Sequence, residues 1–197
     1  MATIILMGIK HCGKSTQAKI ISQKLKIPSY DTDTVIQKQT GLSPREIYTQ
    51  SGEAAFKAAE LEACKYVVQC ITESGQDGVV ATGGGICNNQ EAVDVLRSIG
   101  KTVFLIADEK TAADRIIKEA SVQSDGTITG LPAYIAKKSP RSLQEARDIF
   151  HVFYEERMKL YTSIADASIT MQDAPKTMNA NRIMRLLDLS VPAVSAT

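Results

Sequence analysis

Nine consecutive residues, Gly8-Ile9-Lys10-His11-Cys12-Gly13-Lys14-Ser15-Thr16, carry the spacing GxxxxGK[ST]. A loop that holds a polyphosphate must turn several backbone N–H groups toward one point, which calls for glycines at the sharp turns and a helix N-terminus to complete the cradle. Gly8 and Gly13 answer that need. In this pattern the Lys14 ammonium reaches the β- and γ-phosphates of ATP, and the Ser15 hydroxyl falls on Mg²⁺. His11 and Cys12 occupy variable positions and are read as backbone donors, so that His11, Cys12, Gly13, Lys14, Ser15 and Thr16 form the nucleotide-binding set. The Cys12 thiol, beside a helix N-terminus and Lys14, is expected to be alkylated selectively and to be protected by ATP.

Two further constellations follow. Tyr30-Asp31-Thr32-Asp33 places two carboxylates two residues apart. On an extended chain such residues project to one side, so one can hold Mg²⁺ or its waters while the other accepts the proton of an attacking hydroxyl. The plainer alternative makes Asp31 and Asp33 turn and N-cap residues of the next helix, and Asp33 can serve both purposes. The run Thr82-Gly83-Gly84-Gly85 holds more glycine than a turn requires and lets backbone N–H groups approach a ligand closely. A flexible connection is its alternative reading.

The elements that must position these residues are legible from periodicity. Apolar runs at Thr3–Met7, Gly78–Ala81 and Thr102–Ile106, with weaker ones at Ala167–Met171 and Pro28–Tyr30, are too short for helices and read as strands. Helical periods cover Lys14–Leu25, Asp33–Thr40, Gly52–Ser74, Gln90–Ser98, Glu109–Ala120, Ser142–Ile164 and Pro175–Leu189. Strands alternating with helices predict an α/β fold in three layers, with helices on both faces of a parallel sheet. Carboxyl ends of strands are where such sheets bind ligands, and both the phosphate loop and the glycine run fall there. Residues 121–139, rich in Gly, Pro, Ser and Thr, read as a mobile lid, and residues 190–197 as a disordered tail.

A length of 197 residues, 44% hydrophobic, suits one domain, placed at 1–189. A net charge of +1, scattered basic residues and 5% aromatics argue against nucleic acid as a partner. No apolar stretch approaches the roughly 20 residues that cross a bilayer. Cys12, Cys64, Cys70 and Cys87 form no CxxC pair, which favours reduced thiols in a cytoplasmic protein. A monomer acting on a small molecule is expected.

Taken together, the GKST loop, YDTD, Thr40-Gly41, Gly52-Glu53-x-x-Phe56, ATGGG, and Glu156-Arg157-x-x-Leu160-Tyr161 followed by Ala165-Asp166 resemble shikimate kinase, from Ile4 to about Leu187. The resemblance implies a nucleoside-monophosphate-kinase type of fold with a five-stranded parallel sheet, and transfer of the γ-phosphoryl of ATP to the 3-hydroxyl of shikimate. It implies that Asp33 bonds the acceptor hydroxyls and serves as base, and that Asp31 supports Mg²⁺. Gly84, between Gly83 and Gly85, would donate its backbone N–H to the substrate. Arg157 would bind the substrate carboxylate, and Arg115 would lie against the adenine, the alternative for Arg115 being a solvated helix charge.

Two departures from the family pattern stand out. Lys57 follows Phe56 where the family carries an arginine that grips the substrate carboxylate, and an ammonium lacks the two-bond fork of a guanidinium. Leu131-Pro132-Ala133 stands where the family has Arg-Pro-Leu, whose arginine closes on the transferring phosphoryl, with Lys137, Lys138 and Arg141 as possible substitutes. Two classes of function therefore remain open at this point. One is a kinase for shikimate or a related hydroxy acid, with gluconate as a further acceptor. The other is a non-catalytic binding protein on the same scaffold.

Overall fold

In the computed structural model of the protein, which describes residues 3–189, the first apolar run is strand β1 (Thr3–Met7), buried at every position. It leads through the phosphate loop into α1 (Lys14–Leu25), β2 (Ser29–Asp31) and α2 (Thr32–Thr40). The long α3 (Pro44–Ser74) is followed by β3 (Val79–Ala81), a 3₁₀ turn at Ile86–Asn88, α4 (Gln90–Arg97), β4 (Gly100–Ile106) and α5 (Glu109–Glu119). Then come β5 (Ser121–Val122), β6 (Ile128–Thr129), α6 (Ala133–Ala136), α7 (Leu143–Ile164), β7 (Ala167–Thr170) and α8 (Lys176–Leu186).

Five strands form one parallel sheet in the order β2-β3-β1-β4-β7. Central β1, β3 and the core of β4 are buried on both faces, as a sheet covered by helices on each side requires. Their carboxyl ends deliver the phosphate loop, Thr82 and Ala107 to one edge. The neighbouring β2 delivers Asp31 to the same edge, in register with Ala81 of β3.

Three regions differ from expectation. The helix expected from Gly52 begins eight residues earlier, at Pro44, where Ser43 and Glu46 form a capping box; at Gly52 the chain turns through a non-helical conformation and α3 resumes on a new axis. The N-cap of α2 is Asp31, whose Oδ1 accepts from the backbone N–H groups of Asp33 and Thr34, so Asp33 lies in the first turn and is not the cap. Residues 121–139, expected as a mobile lid without regular structure, hold the antiparallel pair β5–β6 and the short α6. The expected tail, 190–197, lies outside the described residues.

Candidate active site

The phosphate loop is shaped by sterics. A Cβ at Gly8 would meet the Leu105 carbonyl oxygen at 2.7 Å and Cys12 Sγ at 2.8 Å, and φ there is +146°, so only glycine lets the loop pass this close to β4. Gly13, also at positive φ, caps α1. The Lys14 ammonium lies folded over the loop, donating to the carbonyl oxygens of Gly8 at 2.8 Å and Ile9 at 2.9 Å. Residues 10–17 line a cavity of about 870 Å³ together with Arg115, Asp108, Lys176 and Asn179. Arg115 donates to the His11 carbonyl at 2.6 Å, which ties α5 to the loop at the cavity rim. Cys12 corrects one expectation: its sulfur is packed beneath Gly8 and the residue is buried, so it is no exposed reactive thiol.

At the sheet edge the Ser15 hydroxyl donates to Asp31 Oδ2 at 2.6 Å while Asp31 Oδ1 caps α2, so of the two carboxylates it is Asp31 that takes the capping role. Hydroxyl and carboxylate oxygens suit a hard divalent cation that keeps most of its waters, and no cluster of three or more acidic, His or Cys ligands exists among the described residues. Asp33 behaves differently. Its Oδ1 is buried with no hydrogen-bond partner among the described residues. Burial, reinforced by the Asp31 charge, pushes its carboxyl above the usual range against the opposing pull of Lys14 and Lys10.

A second cavity, about 480 Å³, opens beyond Asp33 and is lined by Lys57, Glu60, Gly84, Gly85, Tyr134 and Arg157, among others. Arg157, 7% exposed, is held by three neighbours: it donates to the Gly84 carbonyl at 3.0 Å, lies 3.1 Å from Cys87 Sγ, and stacks its guanidinium 4.3 Å from the centre of the Phe153 ring. Tyr134 of α6 stacks on the same ring, with centroids 3.6 Å apart. Lys57 also reaches this cavity, but its ammonium is paired with Glu53 at 3.0 Å. Gly83 does not join Gly84 and Gly85 there: its N–H is taken by Thr32 Oγ1 at 3.0 Å. Thus Lys14, Ser15, Asp31, Asp33, Gly84 and Arg157 converge on one edge as expected, while Gly83 serves the scaffold.

Sequence reasoning missed Glu60. It is wholly buried in the otherwise apolar stripe Ala63, Cys64, Val67 and Ile71 of α3, and that misfit of a carboxylate in a buried stripe was the available signal. Oε2 accepts from Asn89 Nδ2 at 3.0 Å, whereas Oε1 has no partner among the described residues. A Cβ placed on Gly83 would lie 2.9 Å from Asp33 Oδ1 and 3.0 Å from Glu60 Oε1, so the two orphaned oxygens face each other across that glycine. Burial raises the Glu60 carboxyl to about 7, the Asn89 hydrogen bond opposing and the Asp33 charge adding to the shift.

Comparison with known proteins bears on this arrangement. A family model described as shikimate kinase matches residues 10–188. The shikimate kinase of Aquifex aeolicus is 32% identical over 176 residues, 88% of this chain and 89% of that protein. A crystal structure of the Aquifex aeolicus enzyme aligns with a TM-score of 0.67 at 31% identity, covering 94% and 96% of the two chains. Shikimate kinase from Acinetobacter baumannii in complex with shikimate shares the fold, with a TM-score of 0.72 at 22% identity over 95% and 93% of the chains. With this family match across nearly its whole length, and the phosphate loop and Arg157 on one sheet edge, the chain belongs to the shikimate kinase family.

Proposed function

We propose that the chain transfers the γ-phosphoryl of ATP to the 3-hydroxyl of shikimate, working as a cytoplasmic monomer, with Mg²⁺ held by Ser15 and Asp31. The observation that carries this reading is the position of Asp33. It lines both the cavity built on the phosphate loop and the cavity that holds Arg157, a place it shares only with Lys10 and Gly84. A hydroxy acid whose carboxylate meets Arg157 would bring a hydroxyl to Asp33.

In this mechanism the loop amides and the Lys14 ammonium orient the triphosphate and take up charge that develops on its terminal group. When bound, Mg²⁺ neutralises phosphate charge. Asp33 accepts the hydroxyl proton as the new P–O bond forms and the bond to the ADP oxygen breaks. Arg157, anchored by Gly84 and Phe153, fixes the carboxylate, and the Gly84 and Gly85 backbone forms the adjoining wall. Arg115 borders the nucleotide cavity where the base would lie. Lys57 faces the same carboxylate as a single ammonium that must leave Glu53 to engage it. Four free cysteines are in keeping with a reducing compartment.

Coupled ATP turnover with shikimate tests this reading. Shikimate-dependent ADP release is expected, and Asp33→Asn should reduce kcat by about two to three orders of magnitude with little change in ATP affinity. An absence of turnover with shikimate and with a panel of related hydroxy acids and polyols contradicts it. A second reading, a binding protein that holds nucleotide and metabolite without transfer, is favoured by the burial of Leu131 and by the Lys57–Glu53 pair. It predicts ATP affinity with negligible transfer.

A further inference from the structure

Among the described residues, no cation of the 121–139 segment lines either cavity to meet a phosphoryl group in transit. Leu131 is 1% exposed and serves the core. Lys137, Lys138 and Arg141 line neither cavity, although Lys137 lies close enough to act on Glu53 at the acceptor rim. Among the described residues, the cations of the nucleotide cavity are Lys10, Lys14, Arg115 and Lys176, with His11 beside them, and those of the acceptor cavity are Lys10, Arg45, Lys57 and Arg157. Lys10 alone belongs to both, a place it shares only with Asp33 and Gly84.

Its backbone explains this position. A Cβ on Gly84 would lie 2.8 Å from the Lys10 amide nitrogen, so the phosphate loop and the acceptor wall touch at this residue and form the ridge between the cavities. From that ridge the Lys10 ammonium reaches Glu119 Oε2 at 3.2 Å, both side chains half exposed. A pair so open to solvent is easily exchanged for a stronger anion. Lys10 also acts on Asp33, lowering its carboxyl in opposition to burial. Glu119 ends α5 immediately before the lid segment.

We propose that Lys10 is a catalytic residue: its ammonium leaves Glu119 and contacts the phosphoryl group as it passes from the ADP oxygen to the acceptor oxygen. This rests on the kinase reading above. The bond from phosphorus to ADP breaks, the bond to the acceptor hydroxyl oxygen forms, and the hydroxyl proton goes to Asp33. Lys10 keeps its proton throughout and supplies charge only.

The test compares Lys10→Met, Lys10→Arg and Glu119→Gln with the unmodified protein, in steady-state turnover with shikimate and in affinity for Mg-ADP with and without aluminium fluoride, a planar mimic of the moving phosphoryl. For Lys10→Met, kcat should fall about 100-fold or more with both KM values within about five-fold, and the fluoride complex should weaken by a similar factor while ADP alone does not. Lys10→Arg should restore most of the rate. Glu119→Gln should retain it, whereas a loss matching that of Lys10→Met would make the ion pair itself the functional element and overturn the proposal. A kcat for Lys10→Met within about three-fold of the unmodified protein also overturns it and leaves the kinase reading intact. If the unmodified protein turns over neither shikimate nor the related hydroxy acids and polyols, the kinase reading fails and the role of Lys10 falls with it, an outcome distinct from normal turnover by Lys10→Met.

Discussion

The two halves of the site are built in opposite ways. On the nucleotide side, nine consecutive residues make the cradle, and their recognition groups are mostly backbone amides whose positions follow from Gly8, Gly13 and the start of α1. On the acceptor side, side chains arrive from the first turn of α2 (Asp33), from α3 (Lys57, Glu60), from α6 (Tyr134) and from α7 (Phe153, Arg157). A cradle of amides tolerates changes such as His11 and Cys12 at its variable positions. A cavity of side chains instead changes chemistry with each substitution, as Lys57 paired to Glu53 illustrates. The chain thus presents a standard donor site and an acceptor site with its own charge arrangement.

Lys14→Ala should have the largest effect. Removing the buried ammonium that lies against the Gly8 and Ile9 carbonyls is expected to cost about three orders of magnitude in kcat, with an unchanged far-ultraviolet circular dichroism spectrum. Retained turnover would dissolve the contrast, since it would put the decisive charge elsewhere. Arg157→Ala should act on the other half alone. The acceptor KM should rise about 10- to 100-fold, the size of one or two charge-assisted hydrogen bonds, with ATP KM unchanged. A rise in ATP KM instead would show that the halves are not separable.

Glu60 gives the smallest and most specific effect, one on stability. Its carboxyl is raised in the fold to about 7, so the fold favours the protonated form. Stability from this group is therefore complete below about pH 4.5 and is lost as pH rises toward and through 7, by about 3 kcal/mol in all. Glu60→Gln keeps the Asn89 contact without the charge and should be more stable than the unmodified protein at pH 8, with the gain vanishing near pH 4. Denaturant melts across that range measure it, and parallel curves for the two proteins would contradict the assignment.

What the sequence reveals follows the same division. Locally encoded features are legible: α1 runs Lys14–Leu25 as periodicity predicts, and the central strands fall where the apolar runs lie. Tertiary features are not. Periodicity predicts a helix only from Gly52, where α3 breaks, although Ser43-Pro44-Arg45-Glu46 carries a helix-start signature that marks the earlier onset. That the Gly83 N–H goes to Thr32 depends on β2 lying beside β3, which no local pattern states. Arg157 and Glu60 offer a subtler lesson. Each is a charge inside a buried helical stripe, Phe150-Tyr154-Arg157-Tyr161 and Glu60-Ala63-Cys64-Val67, yet only Arg157 came with a family motif to draw attention to it.

Calorimetric titration of shikimate into the protein, with Mg²⁺ and a non-hydrolysable ATP analogue present, asks whether the two cavities hold nucleotide and hydroxy acid together. The account predicts saturable binding that weakens at least about ten-fold in Arg157→Ala, while the analogue binds both proteins equally. Absence of shikimate binding to the nucleotide-loaded protein, or binding indifferent to Arg157, would contradict it.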